Sequence, residues 1–367
     1  MKNKLRVVSV LLTIAILLGA TSPIAADPMM EVIAEGLNNP RGIAMGPDGA
    51  LYVAEAGVGG AGPCVPGPEG EACFGMSGSI ARIDLAGGGM TRITEGLPSL
   101  ADPAGFGASG LHDISFNGSS AFLAFGLGGP PEVREVFGEG GAHFAYLARR
   151  VPSGKIAFLT DLGLYESEAN PDGGAVDTNP YSVLALPGKQ IIADAGANAL
   201  IEVSKTGEVR TLAVFPDRMV EAPPFLGLPP GAMMPMQSVP TSVALGPDGY
   251  YYVGELTGFP FPVSGANVYR VHPDGGTPEI AFSGFTNIID LGFSHDGHLC
   301  VLEITKNGLL SGDMTGALIH VNPDGTQMEM VSEGLVAPGG LAFGHHTMYV
   351  TNFSIFPGAG QVVEITH

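Results

Sequence analysis

The chain has 367 residues, 56 of them Gly and 30 Pro, with 45% hydrophobic and 14% charged side chains. Glycine and proline at that density exclude long helices, and the apolar content suffices for a large core, which leaves a turn-rich all-β protein. A net charge of −20 without a basic stripe excludes nucleic acid as a partner and disfavours anionic membrane surfaces, leaving cations, neutral or aromatic small molecules and proteins.

The first 26 residues read as an export leader. Lys2, Lys4 and Arg6 precede the apolar run from Val7 to Leu18, and small residues lead to Ala25-Ala26 before Asp27. A basic start, a short apolar stretch and a small-residue end are the marks of a secretory signal, and the run is short for a membrane span. The expectation is a leader over 1–26 and one domain over 27–367. That domain is exported to an extracellular or periplasmic space, without membrane contact after cleavage.

Beyond the leader the chain repeats itself. EVIAEGL (31–37) comes first, then RGIAMGPDGALYVAE (41–55), an apolar strand, a tight polar turn and a second strand ending in an acid. Next comes a Gly/Pro-rich segment, GPCVPGPEGEACFG, holding Cys64 and Cys73 nine positions apart. With no His or further Cys nearby to make a zinc site, a disulfide in an oxidising compartment is expected. The two-strand unit then recurs as HDISFNGSSAFLAFG (112–126), YSVLALPGKQIIAD (181–194), TSVALGPDGYYYVGE (241–255), IDLGFSHDGHLCVLE (289–303) and GGLAFGHHTMYVTN (339–352). Cys300, inside the fifth copy, reads as a buried thiol.

Third strands follow most copies (SIARIDL, YLARRV, LIEVSK, NVYRVHPDG, LIHVNPDG, VVEITH), and fourth strands follow five of them. The last copy ends on its third strand, and EVIAEGL supplies the missing fourth. Six four-stranded sheets with the last closed by the N-terminal strand describe a six-bladed β-propeller. A β-sandwich explains neither the six copies nor the complementary terminal strand.

In such a ring the inner strands start, and the second strands end, at one face. Long insertions gather there: 57–77, 127–143, 166–180, 216–240, 256–266, 304–315 and 353–360, whereas the other face has short turns such as GPDG. Long loops on a rigid scaffold carry function, so this face is the expected binding face. Inner strands start at Arg41, His112, Tyr181, Thr241, Ile289 and Gly339, and second strands end at Glu55, Gly126, Asp194, Glu255, Glu303 and Asn352.

The ligand-binding candidates are therefore Arg41, Glu55, His112, Tyr181, Asp194, Asn198, Glu255, Phe259, Glu303 and Asn352. The catalytic candidates are His112, Arg41 and Tyr181. The recurring acids equally fit a structural role, accepting backbone N–H bonds of adjoining loops, and Arg41 equally fits as a buried partner of Glu55. Met219, Met233, Met234 and Met236 with Phe225 and Leu226 read as an apolar lid or as self-packed cover. Two functions stay open. One is a non-catalytic propeller holding a small molecule or a protein. The other is an enzyme on an aromatic or lactone-like small molecule, with His112 as acid or base and Arg41 stabilising negative charge. No nucleophile elbow, zinc-protease motif, phosphate loop or dinucleotide fingerprint is present.

NNPRGIAMGPDGALYVAEAG, GPCVPG with its second Cys, HDI, NPDGG followed by NPYSV, ADAGAN and ELTGFPFPVSGANVYRV together resemble the ScyD/ScyE family of exported propellers, named from scytonemin biosynthesis. The resemblance spans the mature chain and implies a TolB/NHL-like six-bladed propeller outside the cytoplasm. The wider class includes calcium-dependent lactonases whose channel metal is held by Glu, Asn and Asp. The inner-strand starts here do not make such an oxygen cage. Glu55, Asp194, Glu255 and Glu303, one layer out, are left as weak candidates for a cation, calcium first.

Overall fold

The computed structural model describes residues 29–67, 70–87 and 89–366, so the leader expectation over 1–26 lies outside the described residues. Six antiparallel sheets follow one another around a ring. Blade one consists of Pro40–Met45, Leu51–Glu55, Gly70–Asp84 and Gly89–Ala101; blade two of Leu111–Asn117, Ser120–Phe125, Tyr146–Arg150 and Ile156–Asp161. Blade three runs through Pro180–Leu186, Lys189–Asp194, Ala199–Ser204 and Val209–Val214. Blade four is Pro240–Leu245, Tyr251–Glu255, Ala266–Val271 and Glu279–Phe285, and blade five Ile288–Phe293, Leu299–Glu303, Ala317–Val321 and Gln327–Val331. Blade six takes Gly340–Phe343, Thr347–Asn352 and Gly360–Thr366 from the C-terminal end and Met29–Leu37 from the N-terminal end.

The predicted closure is present: Met29 pairs with Thr366 and Leu37 with Gly360, antiparallel. Each inner strand packs on the inner strands of its two neighbours, the last on the first. The core lies between blades rather than inside one. Leu37, Ile43, Val53, Ala342 and Val362 share one cluster across the seam, and Leu302, Leu318, Val350 and Val363 share another between blades five and six. Mostly aliphatic side chains, Leu, Ile, Val and Ala, fill these clusters from the facing surfaces of adjacent sheets. Gly49 and Gly249 adopt φ of 76° and 82° in the PDG turns, a conformation that side chains disfavour.

Two features of the insertions differ from the sequence reading. Much of 57–77 is strand, because Cys64–Gly67 folds back onto Gly70–Asp84. Cys64 and Cys73 face one another in that register and are joined by the expected disulfide. A second short hairpin, Arg218–Glu221 with Met233–Met236, carries the methionines: Met236 is buried, while Met219 and Met233 face solvent with Phe225. Cys300 is buried, and burial pushes its thiol up to about 12. Among the described residues no helix is long and apolar enough to cross a membrane.

Candidate functional site

The second-strand acids are consumed by the scaffold. Glu55, fully buried, accepts from Asn38 N at 2.8 Å, Ser79 Oγ at 2.6 Å and both Nε and Nη2 of Arg92. Asp194 accepts from Thr178 Oγ1, Asn179 N, Gly196 N and Ala197 N. Glu255 accepts from Arg218, Ser238 Oγ and Asn267 N, and Glu303 from Thr286 N at 2.6 Å. Asn352 takes Val336 N through Oδ1 and gives Nδ2 to the Gly334 carbonyl. Each side chain fastens a loop entering or leaving its own blade, the structural role weighed above. Asn198 does the same, accepting from Val239 N and donating to Asp172.

Arg92→Ala is therefore expected to strand the Glu55 charge, at a cost of about 2–3 kcal/mol after allowing for the partial exposure of the arginine. Urea unfolding measures it. The Arg92→Ala/Glu55→Gln double variant should recover part of the loss; a single variant as stable as wild type would contradict the pairing.

His112 and Tyr181 do meet, at the top of the channel, with ring centroids 4.7 Å apart, and the Tyr181 hydroxyl bonds Arg41. Arg41 is not paired with Glu55; its Nη2 donates to the Ala108 carbonyl at 2.7 Å. Burial, and then the Arg41 charge, hold His112 down at about 3 against the Pro180 carbonyl that its N–H meets. It stays a neutral imidazole at physiological pH, far from the value a general acid or base needs. Below lie Asp113 and Asp290, from blades two and five, which the sequence reading missed. Asp113 accepts from Ser182 Oγ and Val183 N of blade three, and Asp290 from Leu341 N of blade six, so each ties its inner strand to the next. Burial raises Asp113 to about 6; burial and then the Asp113 charge raise Asp290 well above the ordinary carboxyl range. Both are partly rather than fully buried. The cavity they line with Gly42, His112, Tyr181 and Thr241 measures about 10 Å³, the room of one water.

This donor set does not fit calcium. The oxygens of Asp113 and Asp290 accept N–H bonds, and the other channel positions offer Arg, His, Tyr, Thr and Ile. Nor do Glu55, Asp194, Glu255 and Glu303 converge. Among the described residues, the one trio of Cys, His, Asp or Glu donors within 4.8 Å of one another is Cys64, Glu71 and Cys73, whose sulfurs form the disulfide.

The open space lies to one side. A groove of about 530 Å³ runs between the disulfide hairpin, the 102–109 loop and the segment 127–133. Val65, Leu100, Phe106, Leu127 and Val133 supply apolar walls, Glu71 and Asp102 carboxylates, and among the described residues no Lys, Arg or His lines it. Leu100 and Leu127 pack with Phe74, Phe137 and Phe144 in one buried cluster. Asp102 holds its own loop by accepting Ala104 N and Phe106 N, and Phe106 leans edge-on against Phe356 of blade six, 5.7 Å between centroids. The sequence reading ranked insertions by length and so passed over 102–109. Phe259 sits elsewhere on this face, in an exposed cluster with Phe225 and Phe261.

A six-bladed propeller with a nearly filled upper channel and a groove over blades one and two is the class that this fold and site define. No family model and no curated protein matches the chain. Among solved structures it is similar to a gluconolactonase from Xanthomonas campestris (TM-score 0.56, 8% identity, 92% of this chain and 89% of that one). It is also similar to the PQQ-bound aldose sugar dehydrogenase of Streptomyces coelicolor (0.55, 12%, 94% and 99%). A catalytically inactive virginiamycin B lyase from Staphylococcus aureus with quinupristin aligns as well (0.51, 12%, 93% and 100%). At these identities the likeness is one of fold.

Proposed function

We propose that the chain is an exported binding propeller of the ScyD/ScyE kind, which holds a small, partly apolar, neutral or cationic molecule in the groove over blades one and two. The groove itself carries the reading: its volume is that of a small-molecule site, its walls are largely apolar and, among the described residues, its only charged groups are carboxylates. The disulfide stiffening one wall and the signal-like first 26 residues support export. An enzyme on an aromatic or lactone-like substrate, using Arg41, His112 and Tyr181, is the alternative. The lyase, lactonase and dehydrogenase names of the fold neighbours support it, but it needs the channel to open.

Ligand-observed NMR with neutral, cationic and anionic aromatic fragments separates the two. Neutral and cationic fragments are expected to bind, at least tenfold more weakly to Val133→Trp and unchanged to His112→Ala, without turnover. Binding or turnover lost in His112→Ala and indifferent to Val133→Trp would move the site into the channel and overturn the proposal.

A further inference from the structure

Five histidines gather on the opposite, short-turn face, far from the groove in the ring. His295 and His298 belong to the turn between the first two strands of blade five, His320 to its third strand, and His345 and His346 to the corresponding turn of blade six. All five line one cavity of about 110 Å³ between these two blades, with Cys300 on its floor. Ring centroids are 4.8 Å apart for His298 and His320, 5.3 Å for His295 and His345, and 4.7 Å for His345 and His346. None of the three pairs is parallel; the interplanar angles run from 32° to 49°. Two imidazoles bound to one tetrahedral ion, with metal–nitrogen bonds of about 2.0 Å, place their centroids about 5 Å apart. The spacing thus matches shared coordination. Nδ1 of His298 is buried without a hydrogen-bond partner, an unmet need that a cation would satisfy.

From this we propose that the cavity between blades five and six binds a late first-row divalent ion, of the Zn²⁺ or Cu²⁺ kind, through these imidazoles. Nitrogen donors select such ions over Ca²⁺ and Mg²⁺, which demand oxygen. His295, His345 and His346 are exposed on mobile-length side chains at the rim, and His298 and His320 are partly buried below. Since no three donors of this group lie within 4.8 Å of one another, binding draws the rim histidines inward by a rotamer change. The ion would then clamp blade five to blade six, so occupancy stabilises the ring.

The test is calorimetry and thermal unfolding of the untagged exported protein with Zn²⁺, Cu²⁺, Ca²⁺ and Mg²⁺. Zn²⁺ and Cu²⁺ are expected to bind near one equivalent and to raise the unfolding midpoint by several degrees, with no effect of Ca²⁺ or Mg²⁺. His298→Gln/His345→Gln should weaken binding at least tenfold while keeping the metal-free midpoint, and bound Cu²⁺ should show nitrogen hyperfine coupling. Stoichiometric Zn²⁺ binding undiminished in the double variant, or no binding at millimolar ion, would overturn the proposal. A groove ligand that still binds the double variant keeps this result separate from the function proposed above.

Discussion

A chain lacking residues 29–37 is expected to lose cooperative unfolding altogether and to aggregate. The strand is the outer edge of blade six, and removing it bares the ladder of Gly360–Thr366. Val362, Val363 and Ile365 there are fully buried, as is Leu37 itself. Each such side chain contributes about 1.5–3 kcal/mol when buried, so four together rival the 5–15 kcal/mol that is typical of a whole domain. The loss also reaches blade one, where Arg92 donates to the Gly36 carbonyl while it holds Glu55. Rescue distinguishes lost closure from a merely damaged terminus. Because Met29 faces Thr366, the strand can be re-attached after the C-terminal end through a tight Asn-Gly hairpin. That permutant should regain the wild-type melting transition. A truncated chain that melts like wild type would show that the ring closes without this strand.

Closure was legible because it is written in repeats: PDG turns, alternating apolar strands and an acid at four of the six second-strand ends recur whatever the loops between them. The role of those acids was legible as well, since a residue that recurs in copies otherwise unlike one another answers a need of the repeat. Asp113 and Asp290 were not. In HDISF and IIDLGF each is a single charge inside an apolar strand, and only the meeting of adjacent blades gives it the N–H donors that explain it. That interruption was the available signal. Channel width depends on how Arg41, His112 and Tyr181 pack against one another, which no spacing encodes. The groove escaped because its third wall, DPAGFGAS, is short, and length had been the measure of importance. The histidines escaped because 295, 298 and 320 belong to the fifth repeat and 345–346 to the sixth, and only the packing of blade five on blade six joins them.

The same enclosed carboxyls set an unusual pH response: the protein is expected to be most stable near pH 4 and to weaken as pH climbs to about 7. Burial raises Asp113 from 3.8 to about 6 and Glu303 from 4.5 to about 7. Glu166, buried and facing Asp194, Asp172 and Asp177, rises to about 7, first through burial and then through those charges; Asp177 rises to about 6. A carboxyl with a higher pKa folded than unfolded binds a proton on folding between the two values. Stability is therefore lost as pH climbs through that window, here from about 4 to 7. For a buried group such as Glu303 the rise corresponds to on the order of 3 kcal/mol. Ion-paired acids act in the opposite sense. Glu202 and Glu329, lowered despite some burial by Arg210 and Lys189 and by Ser332 and Lys306, lose their contribution only as pH falls through their depressed values. The net of −20 adds self-repulsion at the alkaline end. Urea midpoints between pH 4 and 9 measure the balance. Glu303→Gln, whose amide oxygen can still accept from Thr286 N, should raise the midpoint at pH 8 and leave it nearly unchanged at pH 4. A wild-type midpoint that is flat or rising from pH 5 to 8 would mean that these carboxyls ionise freely in the folded ring.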